Sequence, residues 1–479
     1  MAIIYQTTRT TQTAWDKKMT DGFATSLATL GSVLGATPRA LPDKDSPETV
    51  ATGITTDTRA VNPGDIFLAL EGERLDGHDF VEKAIEKGAI AVIVRKGVFS
   101  STSPFPRLEV DDTLTAYQTL GQWWRRQRAM PVVAITGSAG KTTTKELVAA
   151  ALSVFCTESG AGAGAVHKTQ ANYNNEIGVP KTLLGLKANH DYAVVEMGMR
   201  GLEEIALLSR IAEPTVGLIT NVGTAHIGRL GSREAIAQAK CELLREMPPG
   251  GIAVLNHDND LLLSTAAKVW SGKQITYGLT GGDVQGQFKG DHVLVNGVHI
   301  PLPLPGQHNA LNLLGAIATL QALDLDWKKL ADGISVSLPS GRSQTHHLPN
   351  DIVLLDETYN AGAEAMSAAL QLLADQPGTR RIAVLGTMKE LGEQSIALHR
   401  EIGEIVNRLG LDYLLILADP DEAMAMAAGA GATPSQQFTS HDELVTHLEQ
   451  TMKKGDRILF KASRSVGMDQ VVNRLLQNS

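Results

Sequence analysis

Apolar residues in this chain collect into short unbroken runs separated by stretches of helical periodicity, and three blocks of different texture follow one another. From Gly22 to about Pro106 the strand-like runs "DIFLAL" and "AIAVIV" flank a helical stretch, "DFVEKAIEKG", which closes on Gly88 as a helix terminator should. From about Leu108 to Val336 the runs "PVVAIT", "DYAVVEMG" and "TVGLITNVG" alternate with amphipathic helical patterns. Strands apolar at every position are buried on both faces, so this block predicts a largely parallel sheet covered by helices. From Ser337 the alternation restarts with "IVLLDET", "RRIAVLGT", "YLLILA" and "RILFKAS", a second doubly wound sheet. Between the sheets, "SVSLPSGRSQ" reads as a hinge. The expectation is an α/β protein of three domains, 1–107, 108–336 and 337–479, with 1–20 a polar, Thr-rich, loosely ordered extension.

Bulk properties narrow the function classes. At 479 residues the chain exceeds what one hydrophobic core sustains, which agrees with several domains. A net charge of −9 argues against wholesale binding to nucleic acid or to anionic membranes. The two cysteines, Cys156 and Cys241, provide neither a disulfide framework nor a metal-ligand spacing. No apolar run is long enough to span a bilayer and no signal peptide is evident, so the expected location is the cytoplasm.

The chemistry starts at "ITGSAGKTTTKE". The usual phosphate loop has its first glycine five positions before the Gly of the Gly-Lys-Thr/Ser triplet. Here that position is Ile135, and Gly137 stands in for it, so the loop is shorter. A buried strand precedes it and a helical pattern starts at Lys141, which places Gly137, Ser138, Ala139 and Gly140 at a helix N-terminus. There the dipole and the unpaired N–H groups favour phosphate. Lys141 can reach the terminal phosphates, Thr142 can ligate Mg²⁺, and Thr143 follows in the first turn. Ligands of doubly wound sheets bind beyond the carboxyl ends of strands. Glu196, Asn221 and His226 lie at or just past such ends, and Glu196 offers the hard oxygen that Mg²⁺ prefers.

Lys240, in "EAIAQAKCELL", completes a series of short phosphate loop, strand-end Glu, His and Lys. In this order and separation, the series resembles the Mur ligases, the ATP-dependent amide-forming enzymes of peptidoglycan synthesis. The resemblance extends over "TDTRAVNPGDIFLALEGERLDGHDF", "LPGQHNALNLLGA", "SGRS", "DETYNA", "LGTMKELG" and "KASRSVGM". Within the family, "TQANYNNEIGVPKTLLGL" is similar to the member that joins D-alanyl-D-alanine to UDP-N-acetylmuramoyl-tripeptide. The Thr-Thr-Pro and Asn-Pro-Arg motifs of the lysine- or diaminopimelate-adding member are absent.

The resemblance implies a small first domain for the nucleotide sugar, a central ATP-binding domain and a C-terminal Rossmann-like domain. It implies ATP and Mg²⁺ as cofactors and a monomeric enzyme. Lys141, His226 and Lys240 would be catalytic, with metal ligands Thr142, Glu196, His226 and an N-carboxylated (carbamylated) Lys240. A carbamate replaces a cation that would repel the metals with an anion that attracts them; the competing assignment for Lys240 is an ordinary helix-surface lysine. Asn309 and Asn312 match the adenine side, although Asn309 could equally cap a helix. Arg342, Asp356, Tyr359 and Asn360 match ATP contacts of the third domain. Thr56, Asp57 and Arg59 match the uridine pocket, where a solvated turn is the alternative. Thr169, Asn172, Asn174 and Asn175 would hold the muramoyl-peptide or else form a turn network. Lys461, Ser463 and Arg464 end a strand and are candidates for the dipeptide carboxylate. The rival readings are a sister ligase adding lysine or diaminopimelate and a P-loop NTPase that ligates nothing.

Overall fold

The computed structural model describes residues 22–40, 50–72, 74–99, 105–158 and 163–478. The expected extension at 1–20 lies outside the described residues. Contacts divide the chain into two compact units, one of residues 1–132, 159–195 and 210–213, the other of 133–158, 196–209 and 214–479.

In the first unit, four parallel strands pair in sequential order: β1 Gly53–Thr55, β2 Asp65–Leu68, β3 Ala91–Arg95 and β4 Arg107–Val110. Both predicted strand runs are present, and the predicted helix spans Val81–Glu86. Gly88 holds φ +99, a conformation that favours glycine, directly after that helix. The helix Thr113–Arg126 starts where the Asp112 carboxylate accepts the Thr115 N–H at 2.6 Å. Its buried Ala116, Tyr117, Leu120, Gly121 and Trp124 recur at three- and four-residue spacing and face the helix Gly178–Leu184. Trp124 is anchored by a hydrogen bond from its indole N–H to the Leu186 carbonyl at 2.9 Å. Such a side chain contributes about 1.5–3 kcal/mol of burial or more.

The second unit holds two sheets. In the first, β5 Val132–Thr136 pairs in parallel with β6 Val216–Ile219, which pairs with β7 Ile252–Asn256, then β8 Gln274–Gly278, then β9 Val284–Phe288. The sheet ends in an antiparallel meander of β9, β10 His292–Val295 and β11 Val298–Pro301. The periodicity reading anticipated the parallel strands and missed this meander. Its turn carries Asn296 and Gly297 at φ +46 and +80, the positive pair that an Asn-Gly hairpin requires.

In the second sheet the order is β12 Gln344–Leu348, β13 Ile352–Asp356, β17 Asp456–Lys461, β14 Arg380–Gly386, β15 Tyr413–Leu417 and β16 Ser435–Gln437. All neighbours are parallel except the β12–β13 pair. This is the expected doubly wound sheet, and the expected hinge runs into β12 at Gln344. Leu354, Val384, Ile458, Phe460, Leu444 and Leu475 form one face of its core. The carboxyl ends of β5, β6, β13 and β17 carry the residues of interest. Among the described residues no helix is long and apolar enough to cross a membrane.

Candidate active site

The loop after β5 folds as a short cradle. Gly137 sits at φ +154 and Gly140 at φ +81. A side chain at Gly137 would meet Thr220 Oγ1 at 1.8 Å, and one at Gly140 would meet Asn312 Oδ1 at 2.7 Å, so neither position tolerates a Cβ. Asn221 accepts the Ser138 N–H on its carbonyl at 3.0 Å and the Ala139 N–H on Oδ1 at 2.9 Å. The Ala139 carbonyl in turn accepts from Thr220 Oγ1 at 2.6 Å and from Asn221 Nδ2 at 3.1 Å. Ser138 Oγ accepts the Gly223 N–H at 2.9 Å. Ser138 and Ala139 therefore shape the loop, while the amides of the first turn of helix Lys141–Glu158 have no preceding carbonyl to bind. Lys141 folds back onto the Gly137 carbonyl at 2.7 Å. Burial pulls its ammonium below the usual lysine range; Glu196 opposes that pull and Arg342 adds to it.

Thr142 and Thr143 are buried in the same turn. Glu196 is 3% exposed, and the buried Lys145 ammonium lies 3.9 Å from its Oε2 and 3.0 Å from Glu146 Oε1. This lysine prevents two inward carboxylates from repelling each other. Met197 N–H donates to the Ile135 carbonyl at 2.8 Å, which sets Glu196 beside the strand that feeds the loop.

His226 adopts φ +66 at the start of the short helix Ile227–Leu230. Burial lowers its pKa, Glu390 opposes that, and the charges of Lys141 and Lys240 lower it again, so the net shift is below its ordinary value. Those couplings bring His226, Lys141 and Lys240 into one electrostatic neighbourhood. Lys240 is 1% exposed in the middle of helix Arg233–Arg245, which removes the surface-lysine alternative. Among the described residues its ammonium makes no hydrogen bond or ion pair. Burial holds it well below the usual lysine range, with Lys141 reinforcing and Cys241 and Glu364 opposing. Cys241 itself is buried and pushed up to about 12, so it is inert as a thiolate.

Asn309 does not cap its helix. Gly306 occupies that position before Gln307–Ala322, and Asn309 donates back to the Pro305 carbonyl at 2.8 Å. Asn309 Oδ1 accepts from Asn312 at 3.2 Å, and Asn312 accepts from Thr144 at 3.2 Å while lining Gly140. Asn312 thus ties this helix to the loop.

The Arg342 guanidinium stacks 3.9 Å over the Tyr359 ring, with Arg464 5.9 Å from the same ring. Asp356 is buried and accepts the Thr358 N–H and hydroxyl at 3.0 and 2.6 Å. Lys461 is buried, donates to the Asn360 carbonyl at 3.1 Å, and lies 3.7 Å from Glu357 Oε2. Ser463 Oγ accepts the Lys389 N–H at 2.9 Å. Lys461 and Ser463 are thus engaged within the protein, while Arg464 is exposed and pairs with Asp469 at 3.1 Å.

In the first unit, Asp57 caps a short turn and grips the exposed Arg59 with both oxygens at 2.8–3.2 Å. Those bonds, with help from Lys181, hold its carboxyl down to about 2. Tyr173 acts on Arg59 in the same way that Lys181 acts on Asp57, and Lys181 stacks 4.2 Å over the Tyr173 ring. The segments carrying Thr56 to Arg59 and Thr169 to Asn175 therefore adjoin. Thr169 is buried with its N–H on the Val194 carbonyl. Asn175 Oδ1 accepts the Gly178 N–H at 2.9 Å, and the Asn172 carbonyl accepts the Asn174 N–H at 2.8 Å. Turn building thus uses Asn175 and the backbone of Asn172 and Asn174.

Four residues escaped the sequence reading. Lys145 counters Glu196; Glu364 and Glu390 bind the loop that carries His226; His308 is half-buried near Glu357 and Lys461. Lys145, His308 and Glu390 belong to motifs already quoted, where they went unassigned. Glu364 carries no periodic signal.

Family models match along the chain: Mur ligase middle domain over residues 135–320, Mur ligase glutamate ligase domain over 341–464, and Mur ligase family catalytic domain over 50–118. A Synechocystis protein named UDP-N-acetylmuramoyl-tripeptide–D-alanyl-D-alanine ligase is 54% identical over 423 residues, covering 88% of this chain and 91% of its own. A crystal structure of MurF from Acinetobacter baumannii matches with a TM-score of 0.84 at 31% identity, covering 95% of this chain and 99% of that one. The structure of MurF ligase from Thermotoga maritima in complex with ADP matches with a TM-score of 0.75 at 28% identity, over 88% and 96% of the two chains. With three domain models in order and a relative this similar over nearly its whole length, the chain belongs to the Mur ligase family.

Proposed function

We propose that this chain ligates D-alanyl-D-alanine to UDP-N-acetylmuramoyl-tripeptide at the expense of ATP, giving the pentapeptide, ADP and phosphate. The observation that carries this reading is Lys240, a buried lysine that among the described residues makes no ion pair and lies in the electrostatic reach of a phosphate-loop lysine. A nucleotide switch has no use for such a group, whereas a ligase that must gather two anions does. The names of the relatives supply the acceptor.

A carboxylate is a poor electrophile, so the tripeptide's terminal carboxylate first attacks the γ-phosphoryl of ATP, and the dipeptide amine then displaces phosphate through a tetrahedral intermediate. Positioning and positive charge carry such a reaction. Lys141 and the first-turn amides of helix Lys141–Glu158 hold the phosphates. The donor set fits Mg²⁺: the Thr142 hydroxyl and Glu196 are the hard oxygens that would hold the ion beside the phosphates. Bound there, Mg²⁺ neutralises charge between the two anions. Burial disfavours the ammonium form of Lys240, and its free amine would take up CO₂ as a carbamate with release of one proton; with His226 it would then hold a second cation. Asn309, Asn312, Arg342, Asp356, Tyr359 and Asn360 frame the nucleotide. Arg59 with Thr56 and Asp57 takes the uridine diphosphate. Thr169, Asn172 and Asn174 face the muramoyl-peptide, and Arg464 is the exposed cation for the dipeptide carboxylate. The domains are 1–107, 108–336 and 337–479, in a monomer working in the cytoplasm.

The test is an acceptor panel of D-Ala-D-Ala, L-lysine, diaminopimelate and D-glutamate with mass spectrometry of the product and parallel measurement of ADP. Amide formation with D-Ala-D-Ala alone, and ADP release that requires both substrates, is expected. Preference for a single amino acid would move the chain to a sister ligase. Release of ADP without either substrate would make it an NTPase.

A further inference from the structure

The turn that carries Arg342 has unusual backbone on both flanks. Gly341 holds φ +74, and a Cβ there would lie 2.9 Å from both Thr358 Oγ1 and the Tyr359 nitrogen. Ser343 holds φ +44, a region that a residue with a Cβ enters only at a cost. Hydrogen bonds from the segment after β13 hold both flanks. The Gly341 carbonyl accepts the Tyr359 N–H at 2.9 Å, and Glu357 Oε1 accepts the Ser343 N–H at 3.1 Å and the Ser343 hydroxyl at 3.0 Å. Glu357 is itself fixed from β17. Its N–H donates to the Phe460 carbonyl at 3.0 Å, and its Oε2 lies 3.7 Å from the buried Lys461 ammonium. That ammonium also donates to the Asn360 carbonyl at 3.1 Å and to the Glu357 carbonyl at 3.4 Å. Burial takes Lys461 below the usual lysine range, Glu357 opposes that and Arg342 adds to it. The carboxylate therefore accompanies two cations that would otherwise repel each other.

Resting on the ligase reading above, we propose that Glu357 and Lys461 are positioning residues that act through Arg342: they clamp the turn of residues 341–343 and so aim its guanidinium at the nucleotide. The Arg342 side chain does not fix itself. It stacks 3.9 Å over the Tyr359 ring, and its Nε is buried without a hydrogen-bond partner. Its direction comes from the ring beneath it and from the backbone on either side. Both belong to the clamped segment, since Tyr359 follows Glu357 by two residues. An arginine grips an anion through a planar fork, so a small rotation of the turn costs it one of two parallel bonds. Glu357 suits this work because its carboxylate spans two elements, with one oxygen on the hinge and the other toward the lysine that ends β17. A shorter carboxylate cannot reach both.

The test is calorimetry with ADP, without tripeptide or acceptor, on the full chain and on Glu357→Asp, Arg342→Ala and the double variant. Each single variant should raise the ADP Kd roughly three- to thirtyfold, and the double variant should match Arg342→Ala within about twofold, because the clamp then has nothing left to aim. A role in stability alone gives a different result: the Glu357→Asp loss would persist in full on top of Arg342→Ala, and that additivity overturns the proposal. An unchanged Kd in either single variant overturns it too. Urea unfolding reports that each variant is folded. If Glu357→Asp fails to fold, Ser343→Ala frees the hinge end while leaving the buried pair intact, and it carries the same expectation of a loss that vanishes with Arg342. No acceptor is present, so a wrong acceptor in the ligation panel leaves this result standing by itself. A wild type that binds no ADP would overturn the ligase reading and this proposal together.

Discussion

Replacing Lys240 by methionine separates what this lysine does for the fold from what it does for turnover. The side chain is 1% exposed, and among the described residues its amine has no hydrogen-bond or ion-pair partner to lose. Methionine keeps the chain length and most of the volume, and swaps a buried polar end for an apolar one. Such a change costs less than about 1.5 kcal/mol and can be neutral or stabilising. Turnover should respond differently, because losing one preorganised charge near the reacting oxygens costs roughly 2.7–4 kcal/mol, or about 10²–10³ in kcat. Alanine should lose the same activity and, through the cavity, about 2–5 kcal/mol of stability as well. The assays are urea unfolding, saturating ADP release, and intact mass under bicarbonate, where the wild type should gain the mass of one CO₂ and neither variant should. Bicarbonate should restore neither variant. A methionine variant within about threefold of wild-type turnover would refute the reasoning. A wild type that never takes up CO₂ would remove the carbamate while leaving the rest of the site.

Gly140→Ala places a Cβ 2.7 Å from Asn312 Oδ1 at φ +81. Backbone strain of about 1–2 kcal/mol should weaken ADP binding by roughly five- to thirtyfold in calorimetry; an unchanged Kd would show that the loop relaxes freely. His399 is fully buried, accepts the Met388 N–H on Nε2 at 2.9 Å and contacts the Ser395 carbonyl through Nδ1 at 2.7 Å. Burial lowers its pKa, against the Ser395 carbonyl, Glu422 and Asp419, with Lys389 adding to the lowering. Because the folded value lies below the unfolded 6.5, its contribution is complete above pH 6.5 and is lost as pH falls toward the folded value. The slope is at most about 1.4 kcal/mol per pH unit, and His399→Leu should flatten the denaturant midpoint across that range. An unaltered slope would assign the acid sensitivity elsewhere.

Much of this architecture was legible because buried parallel strands are written as unbroken apolar runs, and ligands of such sheets bind where those runs stop. Strand ends pointed to Glu196 and His226 as candidates, and the Gly-rich loop pointed to Lys141. Motif order led to Lys240, whose burial the helical pattern alone did not reveal. The meander at β9–β11 was missed because its strands are short and half polar, although Asn296-Gly297 announced the turn. Glu364 was illegible for another reason: acidic residues near helix starts are commonplace, and its partner Thr224 lies 140 residues away in sequence. Glu390 stood inside the quoted "LGTMKELG", but nothing there tied it to the loop of His226. Asn309 was expected on the adenine side or as a helix cap; it lies in the opening of the helix, and its amide is engaged with Pro305 and Asn312 rather than in a cap.

Thr220 and Asn221 brace Ser138 and Ala139 from the neighbouring strand end, so the turn is already cast when the chain folds. A medicinal chemist approaching it meets a mould rather than a flexible flap. Little is gained by designing a compound to reorganise the turn, because each of those internal bonds would have to be broken and replaced. The productive handles are the leading amides of the following helix and the Lys141 ammonium, and a rigid anion of the right size should bind with little entropic loss from the protein side.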